Sequence, residues 1–238
     1  MKDNNLIICS SIMLKGGVGK SFYSKHFSVQ FKEKLEQQLG RPVKTGICDL
    51  DAQGTLARWA KARKDKEIQT PASISTSYEK LPSVIQKAKD IGLDLLWIDT
   101  PPSHTEPNAV KAAAKAVLDH NGIIVIPTGM SAEDIEIVPM TIRLLRQVGV
   151  DDEFITILNR AKESKAKDRA IKTLSAISHK LGGEYCSRVI YDRVDYVDSG
   201  VDAQTAFEYA PRSKAAKEIL AAGDEVFEYL NTIRKNKN

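Results

Sequence analysis

Lys15, Lys20 and Ser21 belong to the run Lys15-Gly16-Gly17-Val18-Gly19-Lys20-Ser21, and their types and spacing suit a loop that binds an anion. The glycines let the backbone curl until its N–H groups point inward. A helix beginning at the end of such a loop adds the positive end of its dipole. In loops that read G-x-x-x-x-G-K-[ST], the lysine reaches the β- and γ-phosphates of a nucleotide and the hydroxyl ligates Mg²⁺. Lys20 and Ser21 occupy those two places. Gly16, Gly17, Val18 and Gly19 form the cradle, to which Phe22 adds its backbone. Leu14 replaces the first glycine of the pattern, and a second lysine, Lys15, stands beside it. A chance glycine turn would need neither the apolar run before it nor the helical periodicity after it, and both are present.

Carboxylates recur at two further points. Asp49-Leu50-Asp51-Ala52-Gln53-Gly54 closes the run from Val43 to Cys48, and Asp99-Thr100-Pro101-Pro102 closes Leu93 to Ile98. Acids at the C-terminal ends of parallel strands lie at the ligand-binding edge of an open α/β sheet. Asp49 and Asp51 are two apart and point the same way in extended chain, so one could orient water while the other supports Mg²⁺ or the loop. Standing alone, an Asp-rich turn is more often a helix cap; beside a phosphate loop the catalytic reading is preferred. Asp99 has the layout of a carboxylate that holds Mg²⁺, usually through a water.

These groups meet only if the intervening chain alternates strand and helix. Leu6 to Leu14 is apolar apart from Ser10 and Ser11, and Tyr23, Phe27, Phe31 and Leu35 then recur at helical spacing up to Gly40-Arg41-Pro42. After the strand from Val43, the pattern predicts a helix from Thr55 to Lys66. Trp59 is expected inside it, and Arg58, Lys61, Arg63 and Lys64 on a solvated outer face. Further strands are expected at Ala72 to Thr76, Leu93 to Asp99, Gly122 to Pro127, Phe154 to Leu158 and Glu184 to Tyr191. Helices are expected at about Tyr78 to Lys89, Asn108 to His120, about Ala132 to Val148, within the stretch that runs from Arg160 past Lys180, and Lys214 to about Ile233. This alternation predicts an α/β fold with a mostly parallel central sheet and helices on both faces. With no repeat, low-complexity tract or linker, the expectation is one domain over 1–238.

Composition narrows the class without naming a partner. The chain has 238 residues and a net charge of +4, too mild to imply nucleic acid by itself. Cys9, Cys48 and Cys186 are far apart and read as reduced thiols. His26, His104, His120 and His179 show no metal-ligand spacing. No signal-peptide layout and no membrane-length apolar run is seen, so a cytoplasmic protein is expected.

Lys-Gly-Gly-Val-Gly-Lys-Ser resembles the deviant Walker A loop of the ParA/MinD family of ATPases, in which the extra lysine is a signature. Asp49 to Gly54 is similar to that family's D-x-D-P-Q-G segment, with Ala52 for proline, and Asp99-Thr100-Pro101-Pro102 to its D-x-P-P. Three spaced motifs and near-complete coverage make the likeness closest to small plasmid-type ParA proteins without an operator-binding extension. The resemblance implies a homodimer sandwiching two ATP with Mg²⁺, Lys15 crossing to the partner's phosphates and Asp51 positioning the attacking water. It places Asn159 on the adenine, although a plain strand-end Asn explains that residue as well. It also places a turn containing Pro211 beside the base. Guanine-specific loops read N-K-x-D, which Asn159-Arg160-Ala161-Lys162 does not fit, so ATP is favoured over GTP.

On a helix at about 100° per residue, Lys165, Arg169, Lys172 and Lys180 fall within one arc, opposite Ile171, Leu174, Ile177 and Leu181. A charged face is usually just solvated. Because ParA proteins bind DNA without sequence preference, this face is the expected surface for non-specific DNA, with nucleoid association following from it. A centromere-binding, ParB-like adaptor is the implied protein partner. Two rivals remain: a MinD-like positioning ATPase at a membrane or protein cargo, and a scaffold that binds ATP and barely hydrolyses it. Asp224, Glu225 and Glu228 in the last helix argue against a membrane anchor there.

Overall fold

The computed structural model describes residues 6–69, 71–101 and 106–237; Pro102 and His104, named above, lie outside them. Seven strands, β1 Ile7–Ser11, β2 Thr45–Asp49, β3 Ala72–Ser75, β4 Leu95–Asp99, β5 Ile124–Thr128, β6 Phe154–Leu158 and β7 Glu184–Tyr185, form a single sheet. Its order is β3-β2-β4-β1-β5-β6-β7 and every pairing is parallel. The helices are α1 Lys20–Leu39, α2 Thr55–Asp65, α3 Leu81–Asp90, α4 Pro107–Asp119, α5 Ala132–Arg146, α6 Lys165–Lys180, α7 Val194–Val201, α8 Ala206–Tyr209 and α9 Lys214–Lys237, with a 3-10 turn at Tyr78–Lys80 before α3.

All five residues of β1, β2, β4, β5 and β6 are buried, as expected of strands covered on both faces. Phe27 and Phe31 of α1, Leu56 and Trp59 of α2, and Val226 and Phe227 of α9 fill one face against Trp97. Val84 of α3, Val117 of α4, Ile142 of α5 and Leu174 of α6 fill the other. Within the sheet Ser11 is level with Asp99, and Asp99 with Asp49. The loop after β1 and the two acid-tipped strands therefore share one edge.

Two local expectations fail. The segment predicted as a strand from Glu184 to Tyr191 is one only at Glu184–Tyr185. After Cys186, the amide and hydroxyl of Ser187 turn to the Glu225 carboxylate on α9, and the chain rejoins the edge where Tyr191 bridges Ala161. Arg63 is not on the outer face of α2: it is 0% exposed. Its Nη1 and Nη2 each donate to a Glu208 oxygen at 2.7 Å, and Ala203 and Gln69 carbonyls accept from the same nitrogens. The guanidinium also lies 4.7 Å from the Trp59 ring centre. Arg58, Lys61 and Lys64 are exposed as expected.

Candidate nucleotide site

The loop between β1 and α1 is held from three sides. Gly17 and Gly19 have φ of 76° and 107°, the left-handed region that side chains avoid. A Cβ on Gly19 would lie 2.2 Å from Asn159 Nδ2, so only glycine fits there. Asn159 Nδ2 donates to the Val18 carbonyl at 2.8 Å and Arg160 Nη1 to the Gly17 carbonyl at 3.1 Å. Thr141 of α5 accepts the Leu14 N–H. Lys20, 7% exposed, lies across the loop with Nζ 3.2 Å from the Lys15 carbonyl. Burial lowers its pKa, against the fields of Asp99 and Asp51.

Beneath the loop, Asp99 is fully buried. Ser21 donates to its Oδ2 at 2.5 Å and Ser24 to its Oδ1 at 3.1 Å. Burial pushes Asp99 up to about 7; the Ser21 and Ser24 hydroxyls oppose the shift and the Asp49 charge adds to it. Sequence reasoning passed over Ser24, although its place three residues after Ser21 puts it on the same helix face. Asp49 turns out to be a cap. Its Oδ1 accepts the Asp51 N–H, and its Oδ2 accepts the Leu56 and Ala57 N–H groups at the start of α2. Of the two roles open to Asp49, its contacts match support of the loop. Asp51 is half-buried in the cleft, with Oδ1 accepting the Gln53 N–H at 2.9 Å.

This donor set fits a Mg²⁺-nucleotide. Mg²⁺ keeps several waters and takes substrate phosphates besides one or two protein oxygens, which Ser21 and Asp99 supply. Among the described residues no cluster of three or more His, Cys, Asp or Glu side chains is placed to hold a metal by itself. The cleft has a volume of about 300 Å³. Gly17, Lys20, Asp51, Arg160, Tyr196 and Gln204 are among the residues that line it.

Three further residues named for the site do not line this cleft. Asn159 is 3% exposed and braces the loop from below. Pro211 is exposed and outside the cleft lining. Lys15 points away from its own loop and pairs with Asp134 of α5, Nζ to Oδ1 2.6 Å. Sequence reasoning did not single out Arg160, which has a left-handed φ of 51°, or Gln204, both of which line the cleft. The left-handed Arg160 backbone has no sequence signal.

Phe22 packs against His26 and Tyr196 at ring-centre distances of 4.3 and 4.9 Å, closing the cleft wall. His26 Nδ1 lies 2.9 Å from the Phe22 carbonyl and Nε2 accepts the Ala206 N–H at 3.1 Å, so the ring is neutral with its proton on Nδ1. Burial lowers the His26 pKa from 6.5 to about 4. Its contribution to stability is therefore complete above about 6.5 and is lost as pH falls through about 4, roughly 3 kcal/mol in all. Asp99 works in the opposite sense, since a raised carboxyl favours the fold as pH falls below about 7. Thermal melts from pH 7.5 to 4.5 should thus lose less stability in His26→Asn than in the parent; parallel curves would remove His26 as the cause.

On α6, Lys165, Arg169, Lys172 and Lys180 are exposed, while Ala170 and Leu174 are buried. The face predicted to be basic is basic. None of the four takes part in an ion pair among the described residues.

No family model matches the chain, and no curated protein matches it in sequence. Solved structures do. The septum site-determining protein MinD of Pyrococcus horikoshii, complexed with Mg-ADP, is similar over 96% of this chain and 98% of its own, with 18% identity and a TM-score of 0.67. A putative plasmid partition protein of Borrelia burgdorferi bound to AMPPNP is similar over 95% and 98%, with 15% identity and a TM-score of 0.62. pNOB8 ParA bound to nonspecific DNA is similar over 95% and 99%, with 14% identity and a TM-score of 0.60. The chain has the fold of the MinD and ParA-type ATPases, as its motifs led one to expect.

Proposed function

We propose that this protein is a ParA-type DNA-segregation ATPase. The observation that carries the reading is the assembly of Lys20, Ser21 and Asp99 at the glycine loop, with Asp51 in the same cleft lining as Lys20. Lys20 and the loop amides bind the phosphates, Ser21 and Asp99 hold Mg²⁺, and Asp51 orients the attacking water. When bound, Mg²⁺ neutralises charge developing on the phosphates. ATP-Mg²⁺ brings two copies together with Lys15 exchanging Asp134 for the partner's phosphates. The dimer presents α6 to non-specific DNA, and slow hydrolysis, accelerated by a ParB-like adaptor, releases it. The protein then works in the cytoplasm on the nucleoid. The MinD, plasmid-partition and ParA likenesses support nucleotide binding, and the DNA-bound ParA supports the choice of cargo.

For the MinD-like alternative, α9 would have to offer lipid an apolar face. Ile219, Val226, Phe227, Leu230 and Ile233 are instead buried, most of them against α1 and the sheet. No helix among the described residues is long and apolar enough to cross a membrane.

The test is binding to non-specific duplex DNA with ATP, with ADP and without nucleotide, across a salt series. ATP-dependent binding that weakens with salt is expected. Alanine at Lys165, Arg169 and Lys172 together should reduce the slope of log K against log salt by about 3 per subunit while nucleotide binding stays intact. Absence of DNA binding in every nucleotide state, with binding of the ATP form to anionic liposomes, would replace this reading with the MinD-like one.

A further inference from the structure

Lys25 lies on α1 one turn beyond Ser21. It is half-buried and lines the cleft together with Lys20, Asp51 and Thr55. No motif marks it. Among the described residues its ammonium makes no hydrogen bond and no ion pair. The acids whose fields reach it are already engaged: Asp99 by Ser21 and Ser24, Asp49 by three backbone amides. Arg58, on α2, adds like charge.

A cation drawn out of water without a counter-ion is costly, and proteins keep such groups where an anion offsets them. Burial accordingly lowers the Lys25 pKa. Side chains on a helix tilt toward its N-terminus, so the lysine stem runs back toward Ser21 and the mouth of the loop. It shares the cleft lining with Asp51 and Thr55, at the start of α2, and the charges whose fields reach it, Asp99, Arg58 and Asp49, belong to α2 and the strands beside it. With Asp51 read as orienting the attacking water, the terminal phosphate of a nucleotide held at Lys20 and Ser21 lies toward this lining.

We infer that Lys25 is a second phosphate-facing cation, a positioning residue that engages the terminal phosphate of a bound nucleoside triphosphate beside the Asp51 turn. The inference rests on the ATP-binding reading of the cleft. Lys20 serves either nucleotide, because its place in the loop puts it at the β-phosphate. Lys25 distinguishes them: with the diphosphate it has no anion to meet. The triphosphate thus relieves an unpaired charge at the wall from which α2 begins.

Calorimetric titration of the parent, Lys25→Met and Lys25→Arg with Mg-ADP and with Mg-AMPPNP tests this. Methionine keeps the length of the stem and removes the charge; arginine keeps the charge. The expected result is a loss of tenfold or more in AMPPNP affinity for Lys25→Met, with ADP affinity changed less than threefold, and recovery of most of the loss in Lys25→Arg. Equal weakening of both nucleotides would make Lys25 a structural counter-charge to Asp99 and Asp49 and overturn the inference. So would unchanged affinity for both. A parent that binds neither nucleotide would sink the reading of the cleft itself, and this inference with it.

Discussion

Arg63→Met is expected to destabilise the protein by about 3–5 kcal/mol, the usual cost of removing one partner of a buried ion pair. For a chain of this size that lowers Tm by roughly 6–20 °C, at about 2–4 °C per kcal/mol. The loss is not of one contact. Glu208 keeps a charge that burial disfavours and that Arg63, with the Thr205 amide and hydroxyl, now holds below the usual carboxylate range. The carbonyls of Gln69 and Ala203 lose their donors, and an unmet buried acceptor costs about 1–3 kcal/mol. Glu208 retains 25% side-chain exposure, so water takes up part of the deficit and the lower half of the range is expected. Removing both charges, in Arg63→Met with Glu208→Leu, should recover part of the loss because no orphaned carboxylate remains. Urea unfolding of the three proteins decides it; a loss below about 1 kcal/mol in the single variant would show the pair to be no stronger than a surface bridge.

The second large effect is on turnover. Asp51→Asn is expected to reduce ATP hydrolysis by about 10²-fold or more, the low end of what a positioned acid–base group contributes, with nucleotide affinity held near that of the parent. Asparagine is chosen for a structural reason. Asp51 Oδ1 accepts the Gln53 N–H that shapes the turn, and the amide oxygen of asparagine can accept it too, so the turn survives while the base is lost. Single-turnover hydrolysis alongside equilibrium binding of AMPPNP separates the two quantities. Unchanged hydrolysis would end the assignment of Asp51 and favour a protein that binds ATP chiefly to assemble.

The parts that the sequence made legible are those whose causes are local. A phosphate loop needs its glycines and its lysine in one run of chain, and β4 needs only its own apolar residues to deliver Asp99. The basic face of α6 follows from 3.6-residue periodicity alone. Arg63 shows where chemical type misled. It is seven residues after Leu56 and four after Trp59, so periodicity places it on the buried stripe of α2, against the exposure that its charge suggests. The partner that makes burial tolerable, Glu208, is 145 residues away, and nothing local announces it. Asn159 and Pro211 are expected at the base by likeness in sequence; in the structure Asn159 braces the loop through the Val18 carbonyl and Pro211 lies outside the cleft lining. Strand β7 was overdrawn because extended character in the sequence does not show that Ser187 turns away to Glu225 of α9.

Asp49 and Arg63 hold α2 near its two ends, one by carboxylate bonds from the tip of β2 to the first helical amides, the other by the pair to Glu208 on α8. In mechanical terms α2 is a beam pinned at both supports, and fraying at neither end can absorb a displacement of the turn from Asp51 to Gly54. A shift of that turn must pass along the beam as a rotation of the whole helix or break a pin. The route such a rotation takes leads to α8 and to the Thr205–Ala206 corner that His26 also holds.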